Sequence, residues 1–385
     1  MMNVYLDNSA TTRPFEQVVE AMNKSMLEGF YNPSALYAPA MYAERAMTDA
    51  RKAIAASVKA NEKNVIFTSG GTESDNLAIW GYLQTMRTPG EVLYTAAEHA
   101  AVKNACLEAE KRFGTIARQI PLLENGSVDL AELENMLSEK TQLICVMHVC
   151  NETGVIMPIR EICALRDRLA PKAAIHVDGV QGYLRVPFSF QQYKVQSYAL
   201  SAHNIPGPKG AGALVLRDGH RIKAQMAGGG QQNDLRSGTE NTCGVAGLAE
   251  AVKIYPADAA ARMLEMKQAL VKALSDKMPE TTVVGLPSDD PMSAGHILSV
   301  AFPPVRAETL LHALEMDGIL VGTGSACSSK KGKHSAVLTA MHASPAVMEG
   351  AIRISLSPSN TMEEMQYTAE KIIEKVGMLR KFTRR

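Results

Sequence analysis

Between residues 64 and 254 the chain alternates short apolar runs with stretches of helical length, and no other feature restricts its fold as strongly. The runs lie at 64–68, 91–95, 116–120, 142–148, 174–177, 197–200 and 212–216. Most are continuously apolar rather than alternating, the mark of strands covered on both faces. Strand and helix in such repetition predict a mainly parallel sheet between two helical layers, with ligands at the carboxyl ends of the strands. Helices are expected at 41–58 and 243–254, and another along Val18, Met22 and Met26 with Pro14 in its first turn. Beyond Tyr255-Pro256 come helices at 258–278, 306–316 and 361–380, with short strands near 282–284, 296–302, 319–321 and 351–356. The pattern predicts a large domain over 14–255 and a smaller α/β domain made from 1–13 and 256–385.

Composition removes several function classes. Of 385 residues, 46% are hydrophobic and 21% charged, which suits a packed core and not a disordered chain. Forty basic residues balance forty acidic ones, so neither nucleic acid nor a membrane surface is the expected main partner. The opening Met1-Met-Asn-Val-Tyr-Leu-Asp7 is unlike a signal peptide, and no apolar run reaches membrane-spanning length, so a cytoplasmic protein is expected. Cys106, Cys145, Cys150, Cys163 and Cys243 form no C-x-x-C pair and read as small buried hydrophobes of a reducing compartment. Cys327 differs, lying in the small-residue stretch Gly322-Thr-Gly-Ser-Ala-Cys-Ser-Ser329 and followed by Lys330, Lys331 and Lys333, which favour a thiolate.

Polar residues gather where strands end. Ser69-Gly-Gly-Thr-Glu-Ser-Asp-Asn76 opens a helix, and its glycines, free N–H groups and positive helix end suit an anion beside Gly71 and Thr72. Glu98-His99, Asn151-Glu-Thr-Gly154 and Asp178-Gly-Val-Gln181 follow three other strands. Ser201-Ala-His-Asn-Ile-Pro-Gly-Pro-Lys-Gly210 makes a turn between two more, and the Gly-rich stretch 228–241 is long enough for a functional loop. Each alone has a plain reading as a turn, a cap or a satisfied core histidine. Their convergence on one sheet edge points to a binding site.

In order, the strings YLDNSATT, TSGGTESDN, EH, NETG, VDGVQ, SAH with GPKG, RSGTEN, GSAC and RIS resemble those of the cysteine desulfurases over essentially the whole chain. The resemblance implies an α/β chain of the pyridoxal-phosphate (PLP) dependent transferase fold type I, aspartate aminotransferase-like, acting as a homodimer. It also implies roles for individual residues. Gly71, Thr72, Ser201 and His203 would hold the phosphate of pyridoxal 5′-phosphate, with Thr239 reaching it from the partner subunit. Asp178 would face the ring nitrogen, Gln181 the phenolic oxygen, and His99 would stack on the ring and exchange a proton with the substrate. Asn151 would contact cofactor and substrate, with Asn32 and Arg353 on the substrate side, Arg353 gripping its carboxylate. Cys327 would take sulfur from L-cysteine as a persulfide, leaving L-alanine, and pass it to an acceptor protein such as an iron–sulfur scaffold or a thiolation enzyme.

One position departs from the family. The family's lysine after the histidine carries PLP as a Schiff base, and here that residue is Asn204. A carboxamide nitrogen is neither basic nor nucleophilic, so resting attachment and the proton shuttle are both lost. Lys209 matches the lysine of the family's Gly-Pro-Lys-Gly turn and reads as structural. Three accounts follow: a desulfurase stalled by a single substitution, a catalytically silent PLP-binding or scaffold homologue, or a related PLP lyase or aminotransferase. Retention of Cys327, His99 and Arg353 together favours the first.

Overall fold

The computed structural model describes residues 2–323 and 335–383, so the Cys327 loop lies outside the described residues. After β1 (Val4–Leu6), α1 (Glu16–Leu27) and α2 (Ala40–Val58), the chain enters a seven-stranded sheet. Its strands are β2 (Val65–Thr68), β3 (Glu91–Thr95), β4 (Ile116–Ile120), β5 (Thr141–Met147), β6 (Ala174–Asp178), β7 (Ser197–Ser201) and β8 (Gly212–Leu216), ordered β2-β8-β7-β6-β5-β3-β4. The helices between and after them are α3 (Gly71–Leu83), α4 (Ala100–Phe113), α5 (Leu130–Met136), α6 (Ile159–Leu169) and α7 (Thr242–Ile254).

Successive strand side chains point to opposite faces, and here both faces are apolar. Ile66, Val92, Tyr94, Leu143, Cys145 and Leu214 pack beneath α3 and α4. Their neighbours Phe67, Leu93, Ile144, Val146, Ile175, Val177 and Val215 pack toward α2, α6 and α7. Pairing is parallel from β4 through β7, as the strand–helix repeat requires. Strand β8 runs antiparallel to both β7 and β2. Only a ten-residue turn joins β7 to β8, too short for the crossover that a parallel neighbour needs.

A second sheet, ordered β1-β11-β12-β10-β9, contains β9 (Thr282–Val283), β10 (Ile297–Ala301), β11 (Ile319–Thr323) and β12 (Ala351–Ser355). β1 lies parallel to β11, and the other pairs are antiparallel. Helices α8 (Ala259–Lys277), α9 (Ala307–Glu315) and α12 (Met362–Thr383) cover it through Met263, Leu270, Leu310, Leu314 and Ile372. Two short helices missing from the sequence reading, α10 (Ala336–Ala340) and α11 (Pro345–Gly350), have serine caps at Ser335 and Ser344. Among the described residues no helix is long and apolar enough to cross a membrane.

Helix α1 starts at Glu16 and not around Pro14. Phe15 stays extended because its N–H donates to Pro206 O, 3.1 Å away, tying the helix entrance to the turn after β7. Four of the five described cysteines are buried, as their scatter suggested, and Cys243 is partly exposed.

Candidate active site

The carboxyl ends of β2, β3, β5, β6 and β7 share one edge of the large sheet, because β2 is antiparallel to β8 and β8 to β7. Asp178 and Ser201 are the last residues of β6 and β7, placed on the strands themselves and not in the loops beyond. From β2 the chain turns through Gly70, at φ +151°, into α3. A side chain at Gly212 would place its Cβ 2.6 Å from both Gly70 Cα and Leu200 O, and one at Gly71 would meet Val180 Cγ2 at 2.6 Å. The glycines therefore let the amino end of α3 press against the ends of β6 and β7, forming a backbone-lined cradle for an anion.

Polar atoms without partners mark the same place. Ser201 Oγ, His203 Nδ1 and Asn204 Oδ1 are buried and have no hydrogen-bond partner among the described residues. Buried polar atoms are seldom left so, and three within four residues suggest a ligand. His203 is held toward its neutral form by burial, then by the charges of Lys209 and Arg185. Thr72, in the first turn of α3, is exposed and available to the same cradle.

The segment after β1 closes the site from the side. Asn8 Nδ2 donates to Ser355 O at 2.9 Å and Ser9 N to Ser355 Oγ at 2.8 Å, binding the segment to β12. Thr12 N and Oγ1 both donate to His203 O, at 2.8 and 2.9 Å. The carbonyl of Ser9 receives Gln181 Nε2 at 3.0 Å and Asn204 Nδ2 at 3.1 Å. Behind them the buried Arg185 donates to Gln181 Oε1 at 2.9 Å and to the Asn204 carbonyl.

Three buried carboxyls control the charge of this edge. Glu98 is pushed up to about 8 by burial and by Asp178, although its Oε1 accepts from Thr95 Oγ1 (2.6 Å) and Met147 N (2.7 Å). Asp75 is raised well above the usual range by burial, then by Asp178 and Glu98. Asp178 is raised by burial but eased by the Val180 N–H, 2.9 Å from Oδ1, and by His99. Burial and mutual repulsion oppose ionising all three together, and of the three Asp178 has its carboxylate form favoured by a backbone N–H and by His99. Asp75 Oδ1 lies 3.1 Å from His176 Nε2, and His176 Nδ1 lies 2.8 Å from Ser197 Oγ, a buried line from α3 through β6 to β7. His99, exposed at the cap of α4, accepts from Ala101 N through Nδ1 at 3.2 Å, which puts its ring proton on Nε2.

The remaining sequence candidates spread outward. Arg353 is buried on the central strand β12, not at a surface edge; it donates to Asp7 Oδ1 at 2.7 Å and to Asn151 O at 2.9 Å. Its Nε is buried without a partner among the described residues, and Gly322 leaves room for the ion pair, since a Cβ there would stand 2.5 Å from Asp7 Oδ1. Asn151 is thus joined to Arg353 through its carbonyl. Asn32 is exposed in the α1–α2 loop, its Oδ1 accepting from Ser34 N at 2.9 Å. Thr239 is exposed in a loop that Arg236 fastens to Glu73 of α3 (2.8 Å). Sequence reasoning missed the parts played by Asp75, His176, Arg185 and Asp7, although a histidine inside the apolar run Ile175-His-Val177 was a signal for a buried polar pair.

Comparison with known proteins agrees with this architecture. Residues 4–368 match the family described as Aminotransferase class-V. The chain is 36% identical to the cysteine desulfurase IscS of Methanosarcina thermophila, over 98% of its own length and 93% of that protein's. It is 37% identical to the cysteine desulfurase IscS of Neisseria gonorrhoeae, over 99% and 94% of the two chains. Among solved structures, a NifS-like protein superposes with a TM-score of 0.89 at 33% identity, covering 98% of this chain and all of that one. With fold, strand-end site and full-length similarity in agreement, the chain belongs to the class-V aminotransferase family, in its cysteine desulfurase group, with the type I fold of PLP-dependent enzymes.

Proposed function

We propose that this chain is a cysteine desulfurase framework for PLP and L-cysteine, complete except for its covalent anchor, which Asn204 replaces. The observation carrying this reading is the group of unpartnered buried atoms Ser201 Oγ, His203 Nδ1 and Asn204 Oδ1 beside the glycine cradle and Asp178. These residues fit the cofactor. Ser201, His203, Thr72 and the amide of Gly71 would hold its phosphate, the Asp178 carboxylate its ring nitrogen, and the spare Nε2 hydrogen of Gln181 its phenolic oxygen. When bound, the cofactor supplies an electron sink for bonds at the substrate α-carbon.

The chain's own groups account for the rest. The Nε2–H tautomer of His99 can stack on the ring and exchange a proton at the substrate. Arg353, steadied by Asp7 and Asn151, offers Nε to the substrate carboxylate. Cys327 accepts the sulfur, so that L-cysteine and a thiol give L-alanine and a persulfide for an acceptor protein of iron–sulfur or thio-cofactor assembly. Asn204 supplies no amine, and loss of a general base alone costs on the order of a hundred- to ten-thousand-fold in rate. A second copy of the chain belongs to the reading. Leu27, Phe30, Leu36 and Tyr42 are 66–103% exposed in one stretch around Asn32, a surface that a homodimer would cover.

Intact-mass analysis after borohydride reduction tests the site: Asn204→Lys incubated with PLP should gain one covalent cofactor per chain, and the unchanged chain none. An Asn204→Lys protein that folds yet gains none would remove the basis for the reading.

A further inference from the structure

We propose that Asn204 turns the site toward the aminated form of the cofactor, pyridoxamine 5′-phosphate, in preference to the aldehyde. The inference rests on the cofactor reading above. Asn204 is 2% exposed, and its side chain ends beside that of Gln181, because both amides donate to the one carbonyl of Ser9, at 3.1 and 3.0 Å. That shared acceptor fixes which way the Asn204 amide faces: turned over, its oxygen would oppose the oxygen of Ser9. Arg185 then occupies the Asn204 carbonyl and Gln181 Oε1. Nδ2 and the main-chain carbonyl of Asn204 thus have partners, and Oδ1 has none among the described residues.

An acceptor in that position needs a donor. The 4′-aldehyde of PLP carries only an oxygen acceptor, so it leaves Oδ1 unmatched or sets two acceptors against each other. The 4′-aminomethyl group of pyridoxamine phosphate carries N–H bonds and can complete it. With lysine at this position the preference would run the other way, since an amine side chain captures an aldehyde and repels an ammonium. Leaving a buried acceptor unpaired should separate the two affinities by roughly 5- to 150-fold.

The test is calorimetric titration of the ligand-free, unmodified chain with PLP, with pyridoxamine phosphate and with inorganic phosphate. At least fivefold tighter binding of pyridoxamine phosphate is the expected result, and in Asn204→Leu, which lacks the acceptor, the ratio should fall to within about twofold. Equal affinities, or tighter PLP, would overturn the inference while leaving the cofactor site in place. A preference that survives in Asn204→Leu would overturn it as well. If neither form binds better than inorganic phosphate, the cofactor reading itself fails along with the inference.

Discussion

Glutamate 98 offers a quantitative test of how the site sets its charge. It is buried, precedes His99, and titrates near 8 in place of its ordinary 4.5, chiefly through burial. The folded chain therefore holds a proton that the unfolded chain has released. Stability from this group is complete below about pH 4.5 and declines as pH rises toward 8. Each pH unit crossed costs about 1.4 kcal/mol, so roughly 3 kcal/mol is lost by pH 7. Glu98→Gln keeps an oxygen to accept from Thr95 Oγ1 and Met147 N and has no proton to lose. Its second amide hydrogen, placed where Oε2 has no partner, costs about 1–3 kcal/mol, so at pH 7 the variant should equal the parent or exceed it by up to about 2 kcal/mol. The pH slope is more decisive than the offset. Denaturant unfolding can be followed through the single Trp80, whose Nε1 donates to Ala105 O at 2.9 Å between α3 and α4. From pH 5 to 7.5, the stability of Glu98→Gln relative to the parent should rise by about 3 kcal/mol. Parallel curves, constant within about 0.5 kcal/mol, would show that Glu98 is ionised in the fold and that the assignment of charge to Asp178 is wrong.

Two further outcomes follow from the buried contacts. His176 is pushed down to about 3 by burial and Asp75 is raised, so their pair is neutral; Asp75→Asn should cost less than about 1 kcal/mol and Asp75→Leu about 2–3 kcal/mol in denaturant unfolding at pH 7, and equal losses would contradict a neutral pair. Gly212→Ala sets a Cβ against backbone at Gly70 and Leu200, so it should lose about 1–3 kcal/mol of stability and bind phosphate-bearing ligands more weakly; unchanged thermal unfolding and ligand titration would refute the cradle.

The sheet was legible because its strands are apolar on both faces, so Val92-Leu93 and Ile144-Cys145-Val146 could only be central. The strand-end residues stood out for the same reason, since most polar groups cluster where those runs stop, His176 inside β6 being an exception. What escaped was set by contacts distant in sequence. Nothing local foretells that His176 meets Asp75, 101 residues away, or that Arg353 is held by Asp7 across 346. Pro14 was a sound start signal, overridden by the hydrogen bond of Phe15 to Pro206. Asn204 stood out at once as a residue without the needed amine, but the unpaired state of its Oδ1 depends on Ser9, Gln181 and Arg185 and is visible only in the folded chain.

The central claim, that one side chain separates this framework from a working desulfurase, is tested most directly by measuring alanine formed from L-cysteine and PLP. The unchanged chain should form essentially none, Asn204→Lys should turn over at least a hundredfold faster, and Asn204→Lys combined with Cys327→Ala should be silent. A folded Asn204→Lys protein that binds the cofactor and leaves cysteine untouched would contradict the account.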